Sequence, residues 1–516
     1  MSAAFSAPPV LTAAEMARVD AFSINELGLP GAVLMEQAGR RTAEICLEKL
    51  RLLNHPKTIV ICGRGNNGGD GFVVARHLAE AGFHCDVHLL GELDAVKGDA
   101  KLNIEIWQKL GGGVTLFSEE TLTAIKSADL VVDAMLGTGA KGALRGNFGE
   151  ACRAINLSGA HVVSVDLPTG VEGDSGAADN NAVQADETVT FGALKIGLAL
   201  HPGKARAGKI HVADIGFPRL AFEKIEPQTF TLSKKFIKTI LPQRPATYFK
   251  NRCGQVFVLA GSVGMSGAAA LCSKAALRAG AGLVILGAPN SIVHPDDGMT
   301  EIMQFPLDEK NGRVSISAWR EIDKKCDWAN VVALGPGLGL SEDVRTIVRR
   351  TTENFSGLLV IDADGLNALQ GQLDVLQNRP GGTILTPHPG EFARLSKLKQ
   401  ETIVRDPIQA ARNFAQEHKV HLLLKGAPSV AALPDGRVFI NSAGNPGMAT
   451  AGMGDVLTGV IAGLGGQCDN TENVLLTGMF IHSLAGDLAA RKSGEISMTA
   501  GDVIENLPSA FLDVQK

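Results

Sequence analysis

The sequence predicts an α/β protein of two three-layer α/β/α domains, and three observations predict it. At 516 residues the chain is longer than one hydrophobic core usually organises, so two or three domains are expected. On both sides of residues 217–254, short runs rich in Val, Ile and Leu alternate with Ala-rich helical stretches, the pattern of parallel sheets covered on both faces. Finally, 60 glycines accompany 45 % hydrophobic and 20 % charged residues, a balance of glycine-rich α/β enzymes rather than of disordered or fibrous chains.

In the first half the expected strands are 58–62, 86–90, 130–133, 161–166 and 187–191. In the second they are 256–260, 283–287, 331–335, 358–362, 383–386 and 421–425, with a hairpin-like pair ending at Asn441. Helices are expected from the Ala268 region through Ala279 and over 454–464. Between the halves, Phe217-Pro218-Arg219, a Lys-rich amphipathic piece at 233–240 and Leu241-Pro-Gln-Arg-Pro245 break the pattern and read as a linker. The expected division is a domain over 1–222, a linker over 223–245 and a domain over 246–516. The glycine signatures lie early in one half and late in the other, so no internal duplication is expected.

A net charge of −5 argues against a general nucleic-acid binder, whose footprint would be basic. No basic segment precedes an apolar one at the N-terminus, and no run of 18 apolar residues occurs, so neither secretion nor membrane spanning is expected and a cytoplasmic location is. The eight cysteines form no C-x-x-C pair and read as buried free thiols. Ala- and Leu-rich helices permit assembly, and a homo-oligomer is expected.

Two phosphate-cradle sequences carry most of the chemical information. The first, G-R-G-N-N-G-G-D-G at 63–71, follows the strand 58–62. Glycines let backbone N–H groups surround phosphate oxygens, and a following helix adds its positive end. Two more strand ends join it: Val131-Val-Asp133 leading to Gly137-Thr-Gly139, and Ser164-Val-Asp166-Leu-Pro-Thr169-Gly170. One crevice is thereby offered amides, carboxylates and a hydroxyl. Asp133 or Asp166 taken alone could equally cap a following helix. Lys195 could pair with phosphate, but a helix-end or surface lysine is the stronger expectation.

G-x-G-N-N-G-G-D-G, V-V-D-A-x-x-G-T-G, D-x-P-T-G and G-A-L-K-x-G-L together resemble the NAD(P)H-hydrate epimerase family, over residues 11–218, and imply a Rossmann-like domain. The resemblance implies that Asn66, Asn67, Gly68, Gly69 and Asp70 hold substrate phosphate. It implies a potassium ion at Asn67, Asp133 and Thr169. It further implies that Gly137, Thr138, Gly139, Ala140, Lys141, Gly142 and Ala143 line the substrate site and that Asp166 reaches the reacting ring. In that chemistry a hydroxyl leaves C6 of a hydrated reduced nicotinamide to give an iminium ion, and water returns on either face. Asp166 would protonate the departing hydroxyl and then take a proton from water. No tyrosine follows the 137–143 loop, the single one being Tyr248, so no aromatic contact is expected there.

The second cradle, N-P-G-M-A-T-A-G-M-G-D at 445–455, opens the predicted helix 454–464. Backbone N–H groups at such a start can hold a transferring phosphoryl group, and Asp455 can take the proton of an attacking hydroxyl. A helix cap alone would not require those glycines. His388 lies between two prolines, either as a ligand contact or as a rigid exposed turn.

The set A-G-S-x-G-M-S-G-A, R-A-G-A-G-L-V, G-P-G-L-G, D-A-D-G-L-N, T-P-H-P-G-E, L-K-G-A and A-G-M-G-D is similar to the ADP- or ATP-dependent NAD(P)H-hydrate dehydratase family, a ribokinase-like fold, over residues 233–514. It implies that Ala268, Gly337, His388 and Asp455 contact the hydrate, with Asp455 catalytic. Lys425, Gly426, Ala427, Pro428, Ser429 and Gly454 would bind the adenine nucleotide, ADP or ATP, together with magnesium. The chain departs from the family's usual His-Lys-Gly with Phe249-Lys250-Asn251. The joint implication is a bifunctional enzyme acting on the hydrates of NADH and NADPH, with Asp166 and Asp455 as its two catalytic residues. The alternatives are a small-molecule kinase with a regulatory N-terminal half, and an inactive nucleotide-sensing N-terminal module.

Overall fold

The computed structural model describes residues 7–140, 142–293, 300–377 and 379–516. They form two compact units, Pro9–Pro227 and Gln228–Lys516, the second including the chain up to Pro8.

Among the described residues of the first unit is a seven-stranded sheet, parallel throughout. Its order is Thr115–Leu116, Cys85–Leu89, Thr58–Cys62, Leu130–Ala134, His161–Val165, Glu187–Phe191, Lys209–Ala213. All five expected strands are present to within one residue at each end. Successive strand residues feed opposite faces. Ile59 and Ile61 pack with Val131, Cys152 and Ile155, whereas Val60 and Cys62 pack with Val132, Phe72 and Leu78. Both faces are therefore covered, as the continuous apolar runs require. The two strands that sequence reasoning missed, Thr115–Leu116 and Lys209–Ala213, are the sheet edges, where exposed and half-exposed positions break the apolar run. A separate two-residue parallel pairing joins Val10–Leu11 to Leu194–Lys195.

The second unit has a ten-stranded sheet among its described residues. Its order is Thr229–Thr231, Val438–Asn441, Ser429–Ala432, His421–Leu424, Thr383–Leu385, Leu358–Ile361, Val331–Leu334, Gln255–Leu259, Leu283–Pro289, Met303–Leu307. It is parallel except on either side of Ser429–Ala432, the first strand of the expected hairpin-like pair ending at Asn441. All six strands expected in this half are present, Leu283–Pro289 running two residues further than expected. The helices expected from the two glycine turns are Ser266–Arg278 and Met453–Gly465.

Of the expected linker 223–245, residues 223–227 end the first unit and residues 228–245 belong to the second. Thr229–Thr231 pairs in parallel with Val438–Asn441, and Pro8 O accepts from Thr231 N at 2.9 Å. The Lys-rich piece is a capped helix, Lys234–Ile240, with Ser233 Oγ accepting from Phe236 N at 3.2 Å. Its lysines face solvent while Phe236, Ile237 and Ile240 are buried. Phe439 lies between Phe230 and Phe236, with ring centroids 5.3 and 6.1 Å away. Pro and Lys density masked this apolar stripe in the sequence.

All eight cysteines are free, seven buried and Cys468 partly exposed. No helix among the described residues is long and apolar enough to cross a membrane. Because Phe236 is 1 % exposed, Phe236→Ala is expected to destabilise the second unit by about 3–5 kcal/mol, the range for truncating a buried aromatic. A linker position would leave the thermal melt unchanged, so the shift in Tm decides between the two.

Candidate functional sites

In an open parallel sheet, ligands gather beyond the strand ends where the strand order reverses. In the first unit that point lies between Thr58–Cys62 and Leu130–Ala134, the strands that lead into 63–71 and 137–143. The cradle proves to be the first turn of the helix Asn66–Glu80, which has no side-chain cap, so its leading N–H groups are available to an anion. A Cβ on Gly68 would lie 1.9 Å from Gly63 O, so only glycine lets the helix start fold back on the turn before it. The 137–143 loop comes up against this turn, for a Cβ on Gly137 would lie 3.2 Å from Asn67 Oδ1.

Asp133 caps no helix. Its buried carboxylate accepts from Ser164 Oγ at 2.9 Å, Thr169 N at 2.8 Å, Thr169 Oγ1 at 2.7 Å and Met135 N at 3.3 Å. Burial raises its pKa, while the Thr169 and Ser164 hydrogen bonds oppose the rise. No Lys, Arg or His among the described residues is paired with it. Asp133 and Thr169 thus present carboxylate and hydroxyl oxygens around a buried charge that no described cation neutralises, donors of the kind hard cations take. No cluster of three or more His, Cys, Asp or Glu suited to a metal is present among the described residues.

Asp166 follows the strand His161–Val165 with φ of 64°, a left-handed conformation uncommon for a residue with a side chain. Its carboxylate accepts from Lys195 Nζ at 2.7 Å and Thr190 Oγ1 at 3.1 Å. Lys195 also donates to Thr190 Oγ1 and Phe191 O, both at 2.9 Å, and is 1 % exposed. The surface or helix-end lysine expected from sequence is thus a buried counter-ion, and its Nζ contacts leave no donor for phosphate.

Asp166 and Lys195 line a cavity of about 310 Å³ together with Asn66, Asp70 and Thr138. Met16, Asp20, Ile24, Leu34 and Met35 close it from the N-terminal helices, and the expected absence of aromatic contact is overturned by Phe191 and Phe217, which reach the wall from segments distant from the 137–143 loop. Of the loop expected to line the site, Thr138 is in the wall; Gly137, Gly139, Ala140, Gly142 and Ala143 are not, and Lys141 lies outside the described residues. Asn67, Gly68 and Gly69 are likewise behind the wall rather than in it. Burial, then the neighbouring Asp166 and Asp20, holds the Asp70 carboxyl well above the usual carboxylate range.

In the second unit the strand order reverses between Gln255–Leu259 and Val331–Leu334, and the loops after these strands meet. Ser262 Oγ donates to Gly337 O at 2.8 Å, and a Cβ on Gly337, whose φ is 60°, would lie 3.1 Å from the Ala268 Cβ. Gly337 therefore holds a left-handed turn against the start of the helix Ser266–Arg278. The next strand ends converge on Lys425. Its Nζ donates to Asp362 Oδ1 at 2.7 Å and lies 3.8 Å from Glu391 Oε2, while Thr458 Oγ1 donates to Asp362 Oδ2 at 2.7 Å. Burial works against the Lys425 charge, yet Asp362 and Glu391 outweigh it and raise its pKa. A Cβ on Gly454 would lie 3.3 Å from Lys425 Nζ, which puts the start of the helix Met453–Gly465 beside this pair. Asp455 is partly buried in that first turn, and burial followed by the Asp362 charge raises its pKa to about 6.

His388 is the N-cap of the helix Pro389–Ser396. Its Nδ1 accepts from Gly390 N at 3.0 Å, while Glu391 Oε2 accepts from His388 N at 2.8 Å. The imidazole is thus fixed by its own helix, with Nε2 3.5 Å from Glu391 Oε1. Ser429 Oγ closes the 425–429 turn by donating to Gly426 O at 3.1 Å. Phe249, Lys250 and Asn251 are exposed. Asp362, Glu391 and Thr458 were not singled out as site residues; the one available signal was that Asp362 opens the motif D-A-D-G and Glu391 closes T-P-H-P-G-E.

Residues 256–509 match the family described as NAD(P)H-hydrate dehydratase, and residues 31–197 match the YjeF-related protein N-terminus. The chain is 40 % identical to the bifunctional NAD(P)H-hydrate repair enzyme Nnr of Moorella thermoacetica, over 98 % of this chain and 97 % of that one. It is 38 % identical to the Nnr enzyme of Thermofilum pendens, over 97 % and 96 %. Among solved structures, the ADP/ATP-dependent NAD(P)H-hydrate dehydratase of Bacillus subtilis, co-crystallised with ATP and Mg²⁺, shares 26 % identity at a TM-score of 0.48, over 55 % of this chain and 98 % of that one. With each half matching its own family and full-length relatives at this identity, the chain belongs to the family of bifunctional NAD(P)H-hydrate repair enzymes.

Proposed function

We propose that the first unit, Pro9–Pro227, interconverts the two C6 epimers of NADH and NADPH hydrates, and that the second dehydrates the S epimer at the expense of ADP or ATP. The observation that carries this reading is the pair of carboxyls at two strand-edge sites: Asp166 in the cavity wall, and Asp455 in a helix start beside Lys425. Membership of the family supports it.

In the first unit, the helix start at Asn66 to Asp70 binds substrate phosphate through its leading N–H groups, and Asp166 exchanges protons with the C6 hydroxyl and with water. Lys195 orients the Asp166 carboxylate. Asn67, Asp133 and Thr169 would hold potassium, whose charge neutralises buried Asp133 and ties the 137–143 loop to the helix start. The apolar wall of Met16, Ile24 and Phe217 excludes water from the ring.

In the second unit, Lys425 to Ser429 and Gly454 hold the nucleotide, which carries magnesium on its own phosphates. Ala268, Gly337 and His388 face the hydrate. Asp455 takes the proton of the C6 hydroxyl as its oxygen attacks the terminal phosphorus, and the helix N-terminus stabilises the charge on the transferring group. The C6–O bond then breaks with loss of phosphate and of the C5 proton, which restores the C5–C6 double bond. Hydroxide is a poor leaving group; phosphate is a good one.

Purified protein given mixed hydrate epimers and ADP or ATP is expected to restore the reduced-nicotinamide absorbance completely. Asp455→Asn is expected to lower the rate at least about 100-fold, the scale of a lost general base. Asp166→Asn should leave the unreactive epimer unconsumed. Full dehydration by Asp455→Asn would remove the base assignment, and complete recovery by Asp166→Asn would remove the epimerase one.

The pH dependence follows from the sign of the Asp455 shift. A base must be unprotonated, and its pKa is raised to about 6, so activity is present above that value and lost below it. The dehydration rate is expected to fall about tenfold per unit as pH drops below about 6. A flat rate down to pH 4.5, in protein that remains folded, would contradict the assignment.

A further inference from the structure

Asp70 lies in the first turn of the helix Asn66–Glu80, is 8 % exposed, and its carboxyl has no hydrogen-bond or ion-pair partner among the described residues. It lines the same cavity as Asp166, reaching it from a helix while Asp166 reaches it from a strand end. The groups around it are Asp166, Asp20 and Lys195, with Cys62 on the strand behind and Asp99 elsewhere in the wall. The one cation of the group, Lys195, is committed to Asp166. A buried carboxyl with anionic neighbours and no partner keeps its proton, as its raised pKa also indicates. A neutral acid also avoids repelling substrate phosphate at the neighbouring N–H groups.

Two carboxyls lining one site, one paired with a lysine and the other without a partner, are suited to act as base and acid. We infer that Asp70 is a second catalytic residue of the epimerase site, a carboxylic acid that protonates the departing C6 hydroxyl while the Lys195-paired Asp166 carboxylate accepts a proton from the incoming water. The inference rests on the epimerase reading above and divides between two groups what a single carboxyl would do in turn. When the C6–O bond breaks, its electron pair goes to the oxygen, which leaves as water with the Asp70 proton, and the ring nitrogen lone pair forms the C=N bond of the iminium ion. Water then adds at C6, its proton passes to Asp166, and the nitrogen regains its pair. Asp70 ends as carboxylate and Asp166 as acid, the state that catalyses the reverse conversion, and exchange with solvent resets the pair.

The test uses the full-length protein and hydrate epimers resolved by chromatography. Wild-type kcat for epimerisation is expected to fall on the alkaline side as Asp70 loses its proton. Asp70→Asn is expected to lower kcat about 100-fold or more with little change in KM, to remove that alkaline limb, and to keep dehydration of the S epimer. The wild-type infrared spectrum at pH 7 should contain a protonated-carboxyl band that is missing from Asp70→Asn and displaced in Asp70→Glu. A folded Asp70→Asn with kcat within about threefold of wild type, far short of a lost general acid, overturns the inference. So does the absence of the protonated band from wild type, which decides the matter even where the Asn variant fails to fold. A wild type that does not epimerise at all overturns the epimerase reading and this inference together.

Discussion

Buried charge at the carboxyl edge of a parallel sheet is the constraint around which both units are organised. A carboxylate taken from water into a covered strand end is strongly unfavourable unless a cation or several donors meet it. Each unit answers with a lysine whose Nζ lies 2.7 Å from a strand-end aspartate, Lys195 on Asp166 and Lys425 on Asp362. Removing either partner of such a pair leaves the other uncompensated, at about 3–5 kcal/mol. Three other carboxyls near these edges have no lysine hydrogen-bonded to them among the described residues, and each is treated differently. Asp133 collects four donors, Asp455 is pushed toward neutrality, and Asp70 goes further in that direction.

The sheet topology decides which residues can take part. Where the strand order reverses, the loops from neighbouring strands run to opposite faces and leave a crevice, so groups distant in sequence come into reach. Asn66, Thr138 and Asp166 arrive from three adjacent strand ends, and Lys195 from the segment after Glu187–Phe191. The backbone carrying Lys195 is itself held, since Leu194–Lys195 pairs with Val10–Leu11. The N-terminal residues thereby serve the site twice, as an anchor for the lysine and, through Met16 and Asp20, as a wall.

How much of this could be read from the chain depended on whether the signal was local. Buried strands have unbroken apolar runs, and every one expected was found; edge strands such as Lys209–Ala213 have half-exposed positions and were missed. The glycine cradles were legible because a tight approach such as Gly68 to Gly63 excludes every other residue. Lys195 was not, because its partner lies 29 residues away and nothing local distinguishes a buried lysine from an exposed one. Residues 228–245 misled for the opposite reason: Pro and Lys, strong local marks of a loop, obscured Phe230 and Phe236, whose stacking partner Phe439 is some two hundred residues distant. The wall from Met16 and Ile24, and the coupling of Asp70 to Asp166, are products of tertiary assembly.

The balance of charge in the first cavity suits the course of the proposed reaction. A hydrated nicotinamide ring is neutral, and loss of its hydroxyl makes it a cation, so selective stabilisation requires negative potential that acts on the ring only as the C6–O bond breaks. Asp20, Asp99 and Asp166 face that volume against Lys195, the one cation in the wall among the described residues, and the apolar surfaces of Ile24, Leu34 and Phe217 keep water from screening them. Were Asp70 ionised as well in the resting state, its own repulsion from Asp166 and Asp20 would be added with nothing bound to offset it. Protonated, it adds no charge until it gives up its proton, and the carboxylate it then becomes appears at the step that creates the iminium ion. The proton transfer and the electrostatic stabilisation are then one event at one side chain.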